Sequence, residues 1–175
     1  MTVAASPSVT RVGELCPADR DRVAEILVGT GQFNGAELDV ALEVFDAGFG
    51  LEGVTYDPDY RFVGAFGGDA LLGYACYGPT PQTDRAWDLY WIAVAKEAHG
   101  RGIGSKLLAE VERRLMAERA RILLIETSSR ADYVATRTFY ESRGYMEEAR
   151  IADFYAPSDD RVMFVKHLSL VTPES

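Results

Sequence analysis

His99-Gly100-Arg101-Gly102-Ile103-Gly104-Ser105-Lys106 is the stretch on which the fold turns. It follows Trp87-Asp88-Leu89-Tyr90-Trp91-Ile92-Ala93-Val94, an apolar, β-branched and aromatic run that reads as a strand. Ile103, Leu107, Leu108, Val111 and Leu115 come next at helical spacing, which predicts a helix from about Gly102 to Arg119. Three alternating glycines between a strand and a helix let backbone approach a ligand without Cβ clashes. The first helical turn presents unpaired N–H groups and the positive end of the dipole. Together these suit a phosphate or pyrophosphate, and Arg101 adds a fixed charge. The dinucleotide fingerprint GxGxxG does not fit, because Gly100-x-Gly102-x-Gly104 has the wrong spacing and lies too late in the chain. The P-loop GxxxxGK(S/T) is absent.

Outward from this loop, both directions read as alternating elements. Upstream, Val9–Glu14 predicts a first strand. A helix opens at Pro17-Ala18-Asp19 with Val23, Ile26 and Leu27 on one stripe, and Gly29 and Gly31 are expected to stop it. A second helix is expected over Ala36–Ala47, ended by Gly48. Glu52–Asp59 reads as acidic loop. Arg61–Phe66, the turn Gly67-Gly68-Asp69 and Ala70–Tyr77 form a β-hairpin pattern. Downstream, Ile122–Thr127 is a compact apolar strand. A short helix covers Val134–Ser142 with Gly144 placed to cap it. Strands follow at Tyr145–Ile151 and Val162–Leu168, and Asp159-Asp160 reads as a turn. The order βααβββαβαββ predicts an α/β (α+β) fold: one mixed sheet of about seven strands with helices on both faces. Residues 1–175 read as a single domain, with loose ends at 1–7 and 171–175.

The run from Ile92-Ala93-Val94 through Gly104-Ser105-Lys106-Leu107-Leu108 resembles motif A of the GNAT N-acetyltransferase superfamily. That motif is commonly written Gln/Arg-x-x-Gly-x-Gly/Ala after a strand ending in Val. His99 stands where Gln or Arg is usual. A second stretch, Tyr133-Val134-Ala135-Thr136-Arg137-Thr138-Phe139-Tyr140-Glu141-Ser142-Arg143-Gly144-Tyr145, resembles motif B of the same family. The pairs Phe139-Tyr140 and Gly144-Tyr145 match in spacing, while Tyr133 replaces the usual Asn and Thr136 the usual Ala. The resemblance covers residues 61–168; the first 60 fit as the variable two-helix region.

The resemblance implies an acetyl-CoA-dependent acyl transfer with no metal. It implies a notch where two parallel strands, Trp87–Val94 and Ile122–Thr127, splay apart. Ile92, Ala93 and Val94 then pair with the pantetheine amides, and the pyrophosphate rests on His99, Gly100, Arg101, Gly102, Ile103, Gly104 and Ser105. Thr136 and Phe139 complete the cofactor contacts. An N–H at or near Val94 polarises the thioester carbonyl. Tyr140 holds the position of the family's proton donor to sulfur. The base is open between Glu126, a carboxylate inside an apolar strand that should be paired or functional, and Asp88, which shares a strand face with Tyr90, Ile92 and Val94. A water chain alone is the third choice. The bland reading of Glu126 is a buried hydrogen-bonded carboxylate that holds the splay open. Trp87, Trp91, Phe139 and Phe164 also read as core, and His167 as an exposed or core-edge residue. Asp153, Phe154 and Tyr155 are candidates to reach the acceptor pocket.

Composition bounds the function. Apolar residues are 47% and charged residues 26%, ordinary for a globular chain. A net charge of −9 argues against nucleic acid and against an anionic membrane surface. No apolar run approaches the ~20 residues of a membrane span. The start, Met-Thr-Val-Ala-Ala-Ser-Pro-Ser, lacks the layout of a signal peptide. Cys16 and Cys76 form no CxxC and read as small core residues in a reducing, cytoplasmic setting. Residues 1–100 hold 6 basic and 15 acidic side chains, a net −9, and residues 101–175 hold 12 of each. This asymmetry suggests a cationic amine acceptor, a small molecule or peptide, drawn to the acidic half. Three functions compete: an N-acetyltransferase, a non-catalytic acyl-CoA-binding sensor or interaction module, and a protein binding another phosphate ligand. Family members are often dimers, so a homodimer is compatible with the resemblance.

Overall fold

The computed structural model describes Val9 and residues 11–168. The expected loose ends at 1–7 and 171–175 lie outside the described residues. The strands are β1 (Arg11–Gly13), β2 (Arg61–Gly67), β3 (Ala70–Pro79), β4 (Ala86–Val94), β5 (Ile122–Ser128), β6 (Met146–Ala156) and β7 (Asp159–His167). The helices are α1 (Arg20–Thr30), α2 (Gly35–Phe49), α3 (Ile103–Ala117) and α4 (Val134–Glu141). Element order agrees with the sequence pattern throughout. The strands form one mixed seven-stranded sheet, ordered β1-β2-β3-β4-β5-β7-β6, in which β4 and β5 are parallel. Among the described residues, no helix is long and apolar enough to cross a membrane.

Several boundaries differ from the pattern for identifiable reasons. Gly29 and Gly48 lie inside α1 and α2 rather than ending them. The helices stop at Gly31 (φ 67°) and Gly50 (φ 61°), where left-handed backbone turns the amide back onto the last carbonyls. A glycine within a helix costs only about 1 kcal/mol relative to Ala, which packing can absorb. Asn34 starts α2 with a reciprocal cap: its side chain accepts from the Glu37 amide, and Glu37 accepts from the Asn34 amide. Strand β7 begins at Asp159, so Asp159-Asp160 is strand and not turn. Cys76 is core, but Cys16 is exposed, because it precedes the short 3-10 turn Pro17–Asp19 instead of joining a stripe.

The chain divides into two compact units interleaved in sequence, Met1–Gly78 with Trp91–Arg113, and Pro79–Tyr90 with Arg114–Ser175. In the first, Val23, Ile26 and Leu27 of α1 and Ala41 and Phe45 of α2 are buried, as the stripes predict. Phe45, Phe49 and Phe62 form an aromatic cluster with centroids 4.7–5.3 Å apart. Each such buried side chain stabilises the fold by about 1.5–3 kcal/mol. Strand β3 carries a bulge: Ala65 faces Gly73 and Phe66 faces Leu71, which leaves Leu72 without a partner on β2. The Leu72 carbonyl instead accepts from the Ala95 amide at 2.8 Å. That bond fixes the chain where β4 ends.

In the second unit, register assigns the faces. Trp87 and Leu89 of β4 align with Leu123 and Ile125 of β5, and Ile125 and Thr127 align with Phe164 and Val162 of β7. All of these are buried. The opposite face carries Asp88, Tyr90, Leu124, Glu126, Arg161 and Met163, all exposed or half-buried. Strand β6 is an edge strand exposed along its whole length. Between Ile151↔Arg161 and Ala156↔Asp159 four β6 residues oppose Asp160 alone. The Asp160 carboxylate pins this bulge, accepting from the Asp153 amide (3.0 Å) and from Arg150 (3.1 Å), with Asp153 left-handed at φ 53°. A bulge of this kind blunts an edge against unwanted pairing.

Candidate active site

The glycine loop belongs wholly to the first unit. After Val94 the chain makes a 3-10 turn, Lys96–Ala98, anchored by the buried Ala98. Gly100 and Gly102 then adopt φ 75° and 70°, the region glycine enters without cost. A Cβ at either would meet nothing within 4 Å, so both border open space. Helix α3 starts immediately afterwards at Ile103, and its first internal bond runs from the Lys106 amide to the Gly102 carbonyl at 3.1 Å. The amides of Ile103, Gly104 and Ser105 therefore precede any intrahelical acceptor. The Ile103 side chain is core, which leaves only its backbone to the loop. Arg101 donates to the Glu97 carbonyl at 2.8 Å, which ties its guanidinium to the turn. The His99 ring nitrogen Nε2 lies 2.9 Å from the Val94 carbonyl oxygen.

Close packing beneath the loop was not legible as a motif. A Cβ on Gly73 of β3 would stand 2.9 Å from the Ala93 carbonyl oxygen and 3.3 Å from the Val94 Cα. Gly73 thus lets β3 press against the end of β4, the segment expected to pair with pantetheine. Gly73→Val forces that backbone to shift. We expect a loss of about 2 kcal/mol, typical of overpacking, which lowers Tm by about 4–8 °C in a chain this long. Thermal melts check the first effect. Calorimetry should show weaker acetyl-CoA binding than the melt alone would suggest.

The acid–base candidates lie in the second unit. Pairing of β4 with β5 covers Ala86–Leu89 against Ile122–Ile125, and both strands run on beyond it. Asp88 aligns with Leu124, so Asp88 and Glu126 share the open face, with Glu126 two residues further along. Asp88 is half-buried and accepts from the Thr80 hydroxyl at 2.7 Å. Glu126 departs from expectation. It is exposed, not buried, because its face of β5 is the uncovered one, and it pairs with Arg161 of β7. The Arg161 guanidinium also lies over the Phe154 ring at 5.0 Å, which brings Phe154 and its T-shaped neighbour Tyr155 toward the same face.

Tyr140 sits on the other face of this unit. Its ring contacts Phe164, Tyr145 and Phe139 at centroid distances of 6.4, 5.7 and 5.1 Å. Burial pushes its hydroxyl pKa up, so it stays protonated. Thr136 and Phe139 are half-buried on α4, and Arg143 stacks over Phe139 at 3.7 Å. Sequence reading passed over one polar latch here. Buried Ser128 donates to buried Asp159, and Arg137 of α4 donates to the Ser128 and Arg130 carbonyls at 2.7 and 3.0 Å. These bonds rope α4 to the end of β5. The two adjacent serines and two adjacent aspartates were the available signal.

Residues 58–147, just over half of the chain, match the sequence model of the GNAT acetyltransferase domain. A crystal structure of a GNAT-family acetyltransferase from Desulfovibrio desulfuricans is 38% identical. It has a TM-score of 0.84 and covers 91% of this chain and 100% of its own. The chain belongs to the GNAT acetyltransferase family. Two more distant GNAT structures share the fold. An aminoglycoside 6′-N-acetyltransferase complexed with coenzyme A has a TM-score of 0.73 at 15% identity, with coverages of 92% and 98%. The ribosomal-protein-S18-alanine N-acetyltransferase of Escherichia coli has a TM-score of 0.70 at 18% identity, with coverages of 94% and 97%. No curated protein matches by sequence. This GNAT chain fits the family's cofactor at its glycine loop, where two left-handed glycines border open space beside the first amides of α3. Among the described residues, no group of three His, Cys, Asp or Glu side chains is gathered to hold a metal.

Proposed function

We propose that this protein transfers the acetyl group of acetyl-CoA to a primary amine of a small molecule, peptide or protein. The observation that carries the reading is the loop, whose backbone is already shaped for a pyrophosphate in a chain of the GNAT family. Acetyl-CoA, when bound, supplies an activated thioester. The amides of Gly100 to Ser105 receive the pyrophosphate, and Ile92–Val94 pair with the pantetheine arm. An amide at or near Val94 polarises the thioester carbonyl, since a fixed N–H dipole costs no reorganisation when charge develops there. Attack by a neutral amine forms the C–N bond as the C–S bond breaks. Tyr140 gives its proton to the departing sulfur. Glu126 or Asp88, directly or through water, takes the proton from the amine. Thr136 and Phe139 hold the cofactor along α4.

The acceptor is cationic on this reading, because the open face of the second unit carries Asp88 and Glu126 in adjacent strands. Support from net charge is narrower than the sequence halves suggest. The unit holding the phosphate loop is the acidic one, with 8 basic and 15 acidic residues (net −7), against 10 and 12 (net −2) in the other. The test is calorimetric titration with CoA and acetyl-CoA, then thiol release on a panel of polyamines, amino sugars, basic peptides and anionic amines. Saturable acetyl-CoA binding with turnover on cationic amines is expected. Absence of CoA binding overturns the proposal. Binding without turnover on any amine assigns an acyl-CoA-binding module instead, and preference for anionic amines removes the charge argument alone.

A further inference from the structure

We propose that His99 is a positioning residue for the phosphate loop, acting through the Val94 carbonyl and not by touching the cofactor. This rests on the acetyl-CoA reading above and assigns one side chain its part in it. A backbone carbonyl can only accept, so the 2.9 Å contact makes His99 Nε2 the donor. The neutral Nε2–H tautomer and the imidazolium both supply that proton. The bond spans five residues and closes a ring of backbone from the last residue of β4 to the first residue of the loop. Three amides of the same span are held as well. The Ala95 amide donates to the Leu72 carbonyl at 2.8 Å, the Ala98 amide to the Ala95 carbonyl at 2.8 Å, and the His99 amide to the Lys96 carbonyl at 3.3 Å. Ala98 plugs the turn into the core.

Beyond His99 the Arg101 side chain is tied back to the Glu97 carbonyl of the same turn at 2.8 Å. Gly100 and Gly102 are both left-handed, and neither would carry packing even with a Cβ added. Two glycines with no side chain to hold them cannot fix their own position. Arg101 fastens the loop to the 3-10 turn, whereas the imidazole fastens it to the end of β4, the strand expected to hold pantetheine. Occupation of the Val94 carbonyl by His99 also qualifies the sequence expectation. That carbonyl already has a donor. His99 itself is exposed, so its replacement removes a tether without opening the core.

Full-length His99→Leu and His99→Gln proteins test this beside the parent. Leu keeps bulk and removes the donor, whereas Gln restores an N–H on a side chain of similar reach. We expect His99→Leu to raise the CoA dissociation constant and the KM for acetyl-CoA about three- to tenfold, the worth of one ordinary hydrogen bond, with kcat within twofold and Tm nearly unchanged. His99→Gln should return binding to within about twofold of the parent. Hydrogen exchange without ligand should show faster exchange at residues 100–105 in the Leu variant only. Parent-like CoA binding by His99→Leu overturns the proposal, as does failure of Gln to rescue, which would make the imidazole a direct ligand contact. If the parent itself binds no CoA, the acetyl-CoA reading fails separately, and unchanged exchange at residues 100–105 still decides against the tether.

Discussion

Gly102→Glu should abolish acetyl-CoA binding, with the CoA dissociation constant rising at least about 100-fold, while the protein remains folded. Two effects of different size separate here. Gly102 has φ 70°, where an L-residue pays about 1–2 kcal/mol. Its Cβ would meet nothing within 4 Å, so no packing penalty is added. In a chain of this length that strain lowers Tm by roughly 2–8 °C. A carboxylate beside the first turn of α3 recovers part of it, since negative charge at a helix N-terminus is worth about 0.3–1 kcal/mol. Binding suffers far more, because the same carboxylate occupies the open space before the amides and repels a polyanion at short range. Gly102→Ala isolates the strain and should cost threefold to tenfold in affinity. If the Glu variant bound CoA within tenfold of the parent, the pyrophosphate would not lie at this loop.

The loop and the order of elements were legible because both rest on local rules. Alternating glycines after an apolar strand, and Leu107, Leu108, Val111 and Leu115 on one stripe, specify a strand–loop–helix unit without reference to the rest of the chain. What escaped depends on which face of a strand is covered. Leu-Leu-Ile-Glu-Thr-Ser reads as a compact apolar strand, yet only Leu123, Ile125, Thr127 and Ser128 are buried, and Glu126, expected to be paired or functional, looks outward to Arg161. No pattern within β5 tells a strand with one covered face from a strand with two. The C-terminal hairpin was cut short for a related reason. Ala152–Tyr155 form a bulge, so alternation breaks where the strand continues, and Asp159-Asp160 looked like a turn although the left-handed residue is Ser158 (φ 64°). Charge misled through linear bookkeeping. Residues 91–113 fold with residues 1–78, so the glycine loop belongs to the unit with the larger net negative charge and not to a neutral half.

Acid placement carries its own consequence. The base candidates sit on the open face of the second unit, whereas Tyr140 packs against Phe164 on the covered face. A base exposed to water can exchange its proton freely and can be replaced by solvent. An acid in an apolar setting keeps its proton until a stronger base arrives. The two roles therefore differ in how much a single substitution should cost, and Glu126→Gln or Asp88→Asn alone is the milder lesion.

Tyr140→Phe is accordingly expected to lower kcat about 100-fold, within the range general-acid catalysis supplies. A proton given to the departing sulfur keeps the thiolate from returning to the carbonyl, and burial holds the Tyr140 hydroxyl in its protonated form. The ring survives the change, so contacts with Phe139, Tyr145 and Phe164 persist. With the ring packing kept, loss of the hydroxyl alone should leave stability nearly level. Tm should stay within about 2 °C, and the CoA dissociation constant within about threefold. Pre-steady-state thiol release, with calorimetry on the same preparations, gives both quantities. An unchanged kcat would remove Tyr140 as the proton donor. A fall in kcat accompanied by lost affinity and a lower Tm would make it a packing residue of α4, because only a group used at the reacting sulfur can slow chemistry while leaving fold and ligand binding in place.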